Sequence, residues 1–302
     1  MRILLVLNKT LQRGESIKLD AGYYNFYIPL LQMGHEVYFY DTVNPSEKNF
    51  NKVVENFKPE LIFCCATGDK NITPFEPLNE IKEITQKGIV KTFNWFCDDT
   101  WRFDAFSKKI CNYFTACSTP EYSFLKKFKE IGYSNIILGQ WHCNEDLFIQ
   151  NFIKKYDICF CGGMNQTRIN FLRALNKQIL YFSGCSYEDM ISVYSSCKIS
   201  LNLTINDNDP LKKKQMKLRI FEVTCSDSLL LTEGVENIEM YYKPNDEIAV
   251  FQTLEECSQL CDFFLKNEKE AYRISKNGRN RFLKEHTSKI RLAHILDQIN
   301  KI

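Results

Sequence analysis

The chain has 302 residues, 44% of them hydrophobic and 25% charged, with a formal net charge of +2. These proportions are ordinary for a soluble globular protein and leave no global field to draw in nucleic acid, although a local basic patch is compatible with them. The length suits two domains of about 150 residues each. Thirteen cysteines, odd in number and irregularly spaced, many of them on expected strands, read as reduced buried thiols rather than a disulfide framework. Cys159 and Cys161 share a strand face, but only His142 and Cys143 are near them in sequence and no CxxC pair occurs, so no metal site is expected. The first apolar run, Ile3–Leu7, is too short for a signal peptide. No stretch approaches the roughly 18 residues of a membrane span. A soluble, cytoplasmic protein is the expectation.

Short continuous apolar runs mark strands buried on both faces. In the first half these are Ile3–Leu7, Glu36–Tyr40, Leu61–Cys65, Val90–Phe96, Tyr113–Cys117 and Asn135–Leu138. Amphipathic helices are expected between them over Gly22–Met33, Glu47–Phe57, Pro77–Gln86, Asp104–Cys111 and Glu121–Ile131. Gly34, Gly88 and Gly132 stand as C-terminal stops and Pro59 as a breaker. The pattern then restarts with the strand Asp157–Cys161 and the helix Gln166–Asn176. The strand Gln178–Phe182, the helix Tyr187–Ser195 and the strand Lys198–Leu203 follow. A polar loop, Asn206–Pro210, precedes a basic helix and the strand Ser228–Leu231. Helices over Leu254–Lys266, Glu268–His286 and Lys289–Ile299 end the chain. Strict alternation predicts an α/β protein of two Rossmann-like domains, 1–150 and 151–302, facing a central cleft. Ligands in such sheets bind beyond the C-terminal strand ends, so the loops after strands hold the candidate chemistry.

Gly162–Gly163 follows a strand and opens a helix. Glycines there let the backbone approach a phosphate at a helix N-terminus, and Arg168 adds a charged contact; a plain tight turn is the other reading. The pattern is not GxGxxG, and no acid closes the next strand at Phe182–Ser183, which disfavours a nicotinamide cofactor. Lys212, Lys213, Lys214, Lys217 and Arg219 form the most basic segment. Helical spacing would put Lys212, Arg219 and Glu222 on one side and Lys214 and Lys217 on another. Such a cluster neutralises a diphosphate, or forms a solvated face with Arg219 and Glu222 paired. Glu222 suits either the two hydroxyls of a ribose or that ion pair. Asp98–Asp99 follow a first-domain strand and offer a general base with a pKa raised by its neighbours, or a helix cap. His142 ends the last first-domain strand region, as a cleft residue or a structural one; His35 and His286 read as structural.

The C-terminal third resembles the GT-B glycosyltransferases of the CgeB-like (spore-maturation) group. The resemblance lies in "KISLNLT", in "KLRIFEVTCSDSLLLTE" and in the late segment with Asn277–Gly278, Arg281, His286–Thr287 and Arg291. "YDICFCGGMNQTRINFLRAL" is similar to the opening of the same domain, and "YYNFYIPLLQMGHEVYFYD" and "DDTWRF" more loosely to the group's first domain. The resemblance implies a nucleotide-sugar donor and no obligatory metal or other cofactor. It implies that Gly162, Gly163, Lys217 and Arg219, with Arg168, hold phosphate, that Glu222 holds the ribose, and that Phe221 belongs to the same donor motif. Two positions depart from it. Retaining relatives carry Glu eight residues before Glu222, where this chain has Lys214. The group carries glycine where this chain has Asp227, a residue that tolerates a positive-φ turn or that narrows the sugar pocket.

The resulting expectation is a metal-independent hexosyl- or pentosyltransferase using a nucleotide-diphosphate sugar, taken as a UDP-sugar. Its acceptor is a glycan, lipid, protein or modified nucleic acid, with an anionic polymer in keeping with the lysine run. The first domain is the acceptor side, with Asp98, Asp99 and His142 as candidate catalytic residues, and the second is the donor side. The alternatives are a non-catalytic GT-B-like nucleotide or polymer binder and a nucleotide-sugar epimerase of the same fold.

Overall fold

The computed structural model describes residues 1–13, 16–148, 153–205, 209 and 211–302. The chain divides into two compact units, Met1–Gln140 with Ser288–Ile302, and Trp141–Thr287. The expected boundary at 150/151 lies outside the described residues, and the division by contacts differs from it at the C-terminus. The last helix, Ser288–Lys301, buries Leu292, Ile295, Leu296 and Ile299 and belongs to the first unit. Lys91 on the first unit's sheet donates to the Ile299 carbonyl oxygen of that helix at 3.2 Å.

The first unit holds strands β1 (Arg2–Leu7), β2 (Thr10–Arg13), β3 (Ser16–Leu19), β4 (Glu36–Asp41), β5 (Leu61–Cys64), β6 (Lys91–Trp95), β7 (Ala116–Thr119) and β8 (Ile136–Leu138). Six of them form a sheet in the order β4-β1-β5-β6-β7-β8, every pair parallel. β2 and β3 form a separate antiparallel pair, Thr10 opposite Leu19, in a polar stretch without strand periodicity. The strand expected from Tyr113 begins only at Ala116, because Cys111–Tyr113 closes the preceding helical segment as a 3-10 turn. That segment itself starts at Asp99, five residues before the expected Asp104. Aromatic rings fill the core beneath β6 and β7: Phe96 stacks on Phe128 at 5.9 Å, and Phe103 meets Phe128 edge-on at 4.9 Å.

The second unit holds β9 (Tyr156–Cys161), β10 (Leu180–Phe182), β11 (Cys197–Asn202), β12 (Leu229–Glu233) and β13 (Ala249–Phe251), a parallel sheet in the order β10-β9-β11-β12-β13. The apolar runs of β9, β11 and β12 are buried along their lengths, as expected for a sheet covered on both faces. The helix Glu268–Glu285 crosses so closely that a Cβ on Gly278 would collide with the Glu247 carbonyl oxygen. Among the described residues, no helix is long and apolar enough to cross a membrane.

Candidate functional site

In the second sheet the chain winds outward from β9 to β10, then returns past β9 to β11. Winding therefore reverses between β9 and β11, and open parallel sheets take ligands beyond the carboxyl ends of the strands at such a reversal. Ser200 is level with Cys159 across the two strands, so Asn202, the last residue of β11, is level with Cys161. Gly162 comes next.

Arg219 occupies this point. The helix Leu218–Cys225 begins at an extended Lys217, which places Arg219 in its first turn. Its Nε donates to the Tyr194 hydroxyl at 3.2 Å and one terminal nitrogen to Asn202 Oδ1 at 3.0 Å. The guanidinium lies 4.6 Å from the centroid of the Phe160 ring. Asn202 is oriented in turn by its amide, which donates to Thr232 Oγ1 at 2.9 Å. Each of these partners is neutral, and together they fix the guanidinium in place. Tyr194 is completely buried, and burial, opposed by the Arg219 charge, raises its pKa and keeps it protonated. A Cβ on Gly162 would collide with the Arg219 guanidinium, so this close approach requires glycine.

The Gly162–Gly163 turn is held from both sides. The Tyr181 hydroxyl donates to Gly162 O at 2.6 Å, and Arg168 donates to Gly163 O at 2.8 Å. Asn165 Oδ1 accepts from Arg168 N at 2.9 Å and caps the helix Gln166–Ala174, which follows this turn in the chain. Arg168 lies 5.7 Å from the same Phe160 ring that Arg219 covers. Glu222 is buried, one turn on from Arg219. The Cys161 thiol is pushed up chiefly by its hydrogen bond with Cys159 and by burial, with smaller opposing contributions from the Arg219 and Glu222 charges.

The basic segment is not a helix before Leu218. Lys212 has a left-handed φ of 51°, and Lys214 forms an antiparallel bridge with Ile205. The expected shared faces of Lys212, Arg219 and Glu222, and of Lys214 and Lys217, therefore do not form, because tertiary pairing takes the lysines before helix propensity does. Lys212 and Lys213 are exposed, Lys217 is partly exposed, and Lys214 Nζ lies 3.2 Å from Glu233 Oε1. Of the polar loop 206–210, residues 206–208 and 210 lie outside the described residues. Of the two readings left open for Arg219, a phosphate contact or an ion pair with Glu222, the hydrogen bonds of its guanidinium go to Tyr194 and Asn202. The Phe221 ring is buried against Tyr242 and His286, at 5.9 and 5.3 Å, and braces the helix from its core side. Asp227 has φ +61° and stands before the amino end of β12, whereas Gly162 follows the carboxyl end of β9; it makes the turn and lies away from the carboxyl strand ends.

In the first unit, Asp98 is the N-cap residue of the helix Asp99–Arg102, without a side-chain cap bond, and is partly exposed. Asp99 has no exposed surface. Burial pushes its carboxyl up to about 6, opposed by the Ser107 and Thr119 hydroxyls. The winding reversal of this sheet falls between β1 and β5, one strand away from β6 and the two aspartates. His142 is buried and belongs by its contacts to the second unit. Sequence reasoning missed Tyr194, Asn202 and Thr232; the available signal was a polar residue closing an apolar strand, as Asn202 does in "KISLNLT". Among the described residues, no group of three or more His, Cys, Asp or Glu side chains is placed to hold a metal ion.

Solved structures share this architecture over the whole chain. Sucrose-phosphate synthase from Thermosynechococcus elongatus superposes with a TM-score of 0.68 at 10% identity, covering 99% of each chain. A glycosyltransferase from Rickettsia africae gives 0.65 at 12% identity, over 99% of this chain and 98% of that one. HepE from Anabaena, solved with UDP and glucose, gives 0.65 at 9% identity, over 99% and 100%. The fold is that of the GT-B glycosyltransferases, built of two Rossmann-like units. A family model described as "Glycosyl transferase-like" matches residues 160–297, beginning within β9. No curated protein matches the chain.

Proposed function

We propose that the chain is a glycosyltransferase that takes a sugar from a nucleotide-diphosphate sugar, a UDP-sugar, and passes it to an acceptor. The observation that carries this reading is Arg219. A guanidinium is held by the neutral groups Tyr194, Asn202 and Phe160 over a glycine, at the winding reversal of a parallel sheet. The match to the glycosyl transferase-like model over the same unit supports it, and three of the similar structures hold UDP, alone or with glucose, or UDP-glucose.

In this reading the second unit is the donor side. Gly162 and Gly163 admit the diphosphate to backbone N–H groups, and Arg168, Lys217 and Arg219 meet its charge. Glu222 accepts from the ribose hydroxyls. When the bond between the sugar and the diphosphate breaks, the diphosphate leaves with the electron pair, and a preorganised Arg219 stabilises that growing charge without reorganising. Side chains supply the positive charge, so the transfer is read as metal-independent. The first unit is the acceptor side; Asp99 has no exposed surface, which leaves Asp98 as the carboxylate an acceptor can meet. The finer placement in the CgeB-like group rests on Arg219, Phe221–Glu222, Asn277–Gly278, Arg281 and His286–Thr287.

A thermal-shift series with UDP, other nucleotides and UDP-sugars, followed by donor hydrolysis without acceptor, tests the reading. A ligand at 100 times its Kd adds about 2.7 kcal/mol of stability. Stabilisation by UDP and slow release of UDP from a UDP-sugar are expected. Absence of any shift across the series overturns the assignment.

A further inference from the structure

Two residues beyond Asn202, at about 3.3 Å per residue, the chain passes a second polar group that the phosphate contacts leave unused. Glu233 closes β12. Its Oε2 accepts from Thr204 N at 2.9 Å and Thr204 Oγ1 at 2.7 Å, and its Oε1 lies 3.2 Å from Lys214 Nζ. Lys214 is anchored through its backbone as well, by the bridge to Ile205 and by the neighbouring Gln215 N, which donates to Thr204 O at 3.2 Å. The Lys214 side chain is 35% exposed and that of Glu233 12% exposed. Lys214 thus presents an ammonium, held by its partner, beyond the same strand ends at which Arg219 stands.

An ammonium has three N–H donors, and Glu233 takes one. A carboxylate oxygen has two acceptor sites, and Lys214 takes one at Oε1. The pair therefore offers a fixed donor beside a fixed acceptor and carries no net charge. Arg219, held only by neutral groups, is the better partner for phosphate. A neutral donor–acceptor pair matches neighbouring hydroxyls, one accepting from the ammonium and the next donating to the carboxylate. We propose that Lys214 and Glu233 read two adjacent hydroxyls of the donor sugar and select a neutral hexose over one with a carboxylate. The inference rests on the donor-site reading above.

Isothermal titration of the whole chain with UDP, UDP-glucose, UDP-galactose and UDP-glucuronate tests it. Wild type is expected to bind UDP and at least one neutral UDP-hexose, and UDP-glucuronate more weakly. In Lys214→Met the affinity for the tightest UDP-hexose falls about tenfold or more, the worth of one hydrogen bond to a charged group, while the affinity for UDP stays within about twofold. Glu233→Gln, which keeps an acceptor for Thr204, gives the same split and serves if Lys214→Met fails to fold. An unchanged UDP-hexose affinity in the variants, equal loss of UDP and UDP-hexose, or tighter binding of UDP-glucuronate by wild type overturns the sugar-reading role while the donor-site reading stands. Wild type binding none of the four ligands overturns both.

Discussion

Arg219 lies directly over Gly162, and the space that a Cβ would need there is taken by its guanidinium. The end of a long side chain ordinarily moves aside at little cost. Here Tyr194 and Asn202 pin it, so movement breaks two hydrogen bonds. Gly162→Ala is expected to weaken UDP binding about tenfold, or about 1.4 kcal/mol. A Cβ on Gly163 meets nothing nearer than Arg168, at 3.9 Å. Gly163→Ala is therefore expected to bind UDP within about twofold of wild type. Titration calorimetry of the two alanine variants side by side checks the contrast.

Replacing Arg219 itself separates charge from geometry. Arg219→Ala removes the group set to stabilise the leaving diphosphate, and turnover is expected to fall about 10²–10³-fold. Arg219→Lys restores the charge without the planar fork that reaches Tyr194 and Asn202 together, and is expected to recover only part of the loss. Steady-state kinetics on both variants, with circular dichroism to confirm folding, gives the comparison. Wild-type turnover in Arg219→Ala would count against the proposed site.

Gly278 tests packing rather than chemistry. A Cβ there meets the Glu247 backbone oxygen, which has no rotamer to escape through, and Thr224 Cγ2 at 3.5 Å. Gly278→Ala is expected to destabilise the protein by about 1–3 kcal/mol, as overpacking does. This outweighs the gain of about 1 kcal/mol that alanine brings to an open helix position. Urea unfolding would show a lower midpoint at an unchanged slope.

Asp99 gives the stability a defined pH dependence. Its folded pKa, about 6, lies above the ordinary 3.8. Between those values the folded state holds a proton that the unfolded state releases. This contribution is favourable in acid and is lost as pH rises from about 4 to about 6. The shift corresponds to about 3 kcal/mol at most. Asp99→Asn removes the titrating group. Relative to wild type, the variant is expected to be more stable at pH 8 than at pH 4 by about 2–3 kcal/mol, measured by urea unfolding at both values. An identical difference at the two values would show that Asp99 titrates normally.

Much of the architecture follows from local pattern. Runs such as Ile3–Leu7 and Asp157–Cys161 are strands because only a doubly covered parallel sheet buries so continuous an apolar stretch. The helix Leu254–Lys266 has its expected bounds because Thr253 caps it and its apolar residues repeat at helical spacing. Gly162–Gly163 stood out because a glycine pair after a strand has few uses. Arg219 stood out through the basic cluster and its resemblance motif. Other features depend on partners remote in the chain. Asp99 reads in sequence as a strand-end general base or a helix cap, and the fold closes over it completely. The lysines 212–214 looked helical, but Ile205 and Glu233 drew Lys214 into an extended segment. The last helix followed the second unit in sequence and packed with the first, since an amphipathic stripe shows that a face must be buried but not against what. Hydrophobic period sets which side chains go inside. Only the folded chain brings Tyr194, Asn202 and Arg219 together, because hydrogen-bond partners that far apart leave no mark at any local spacing.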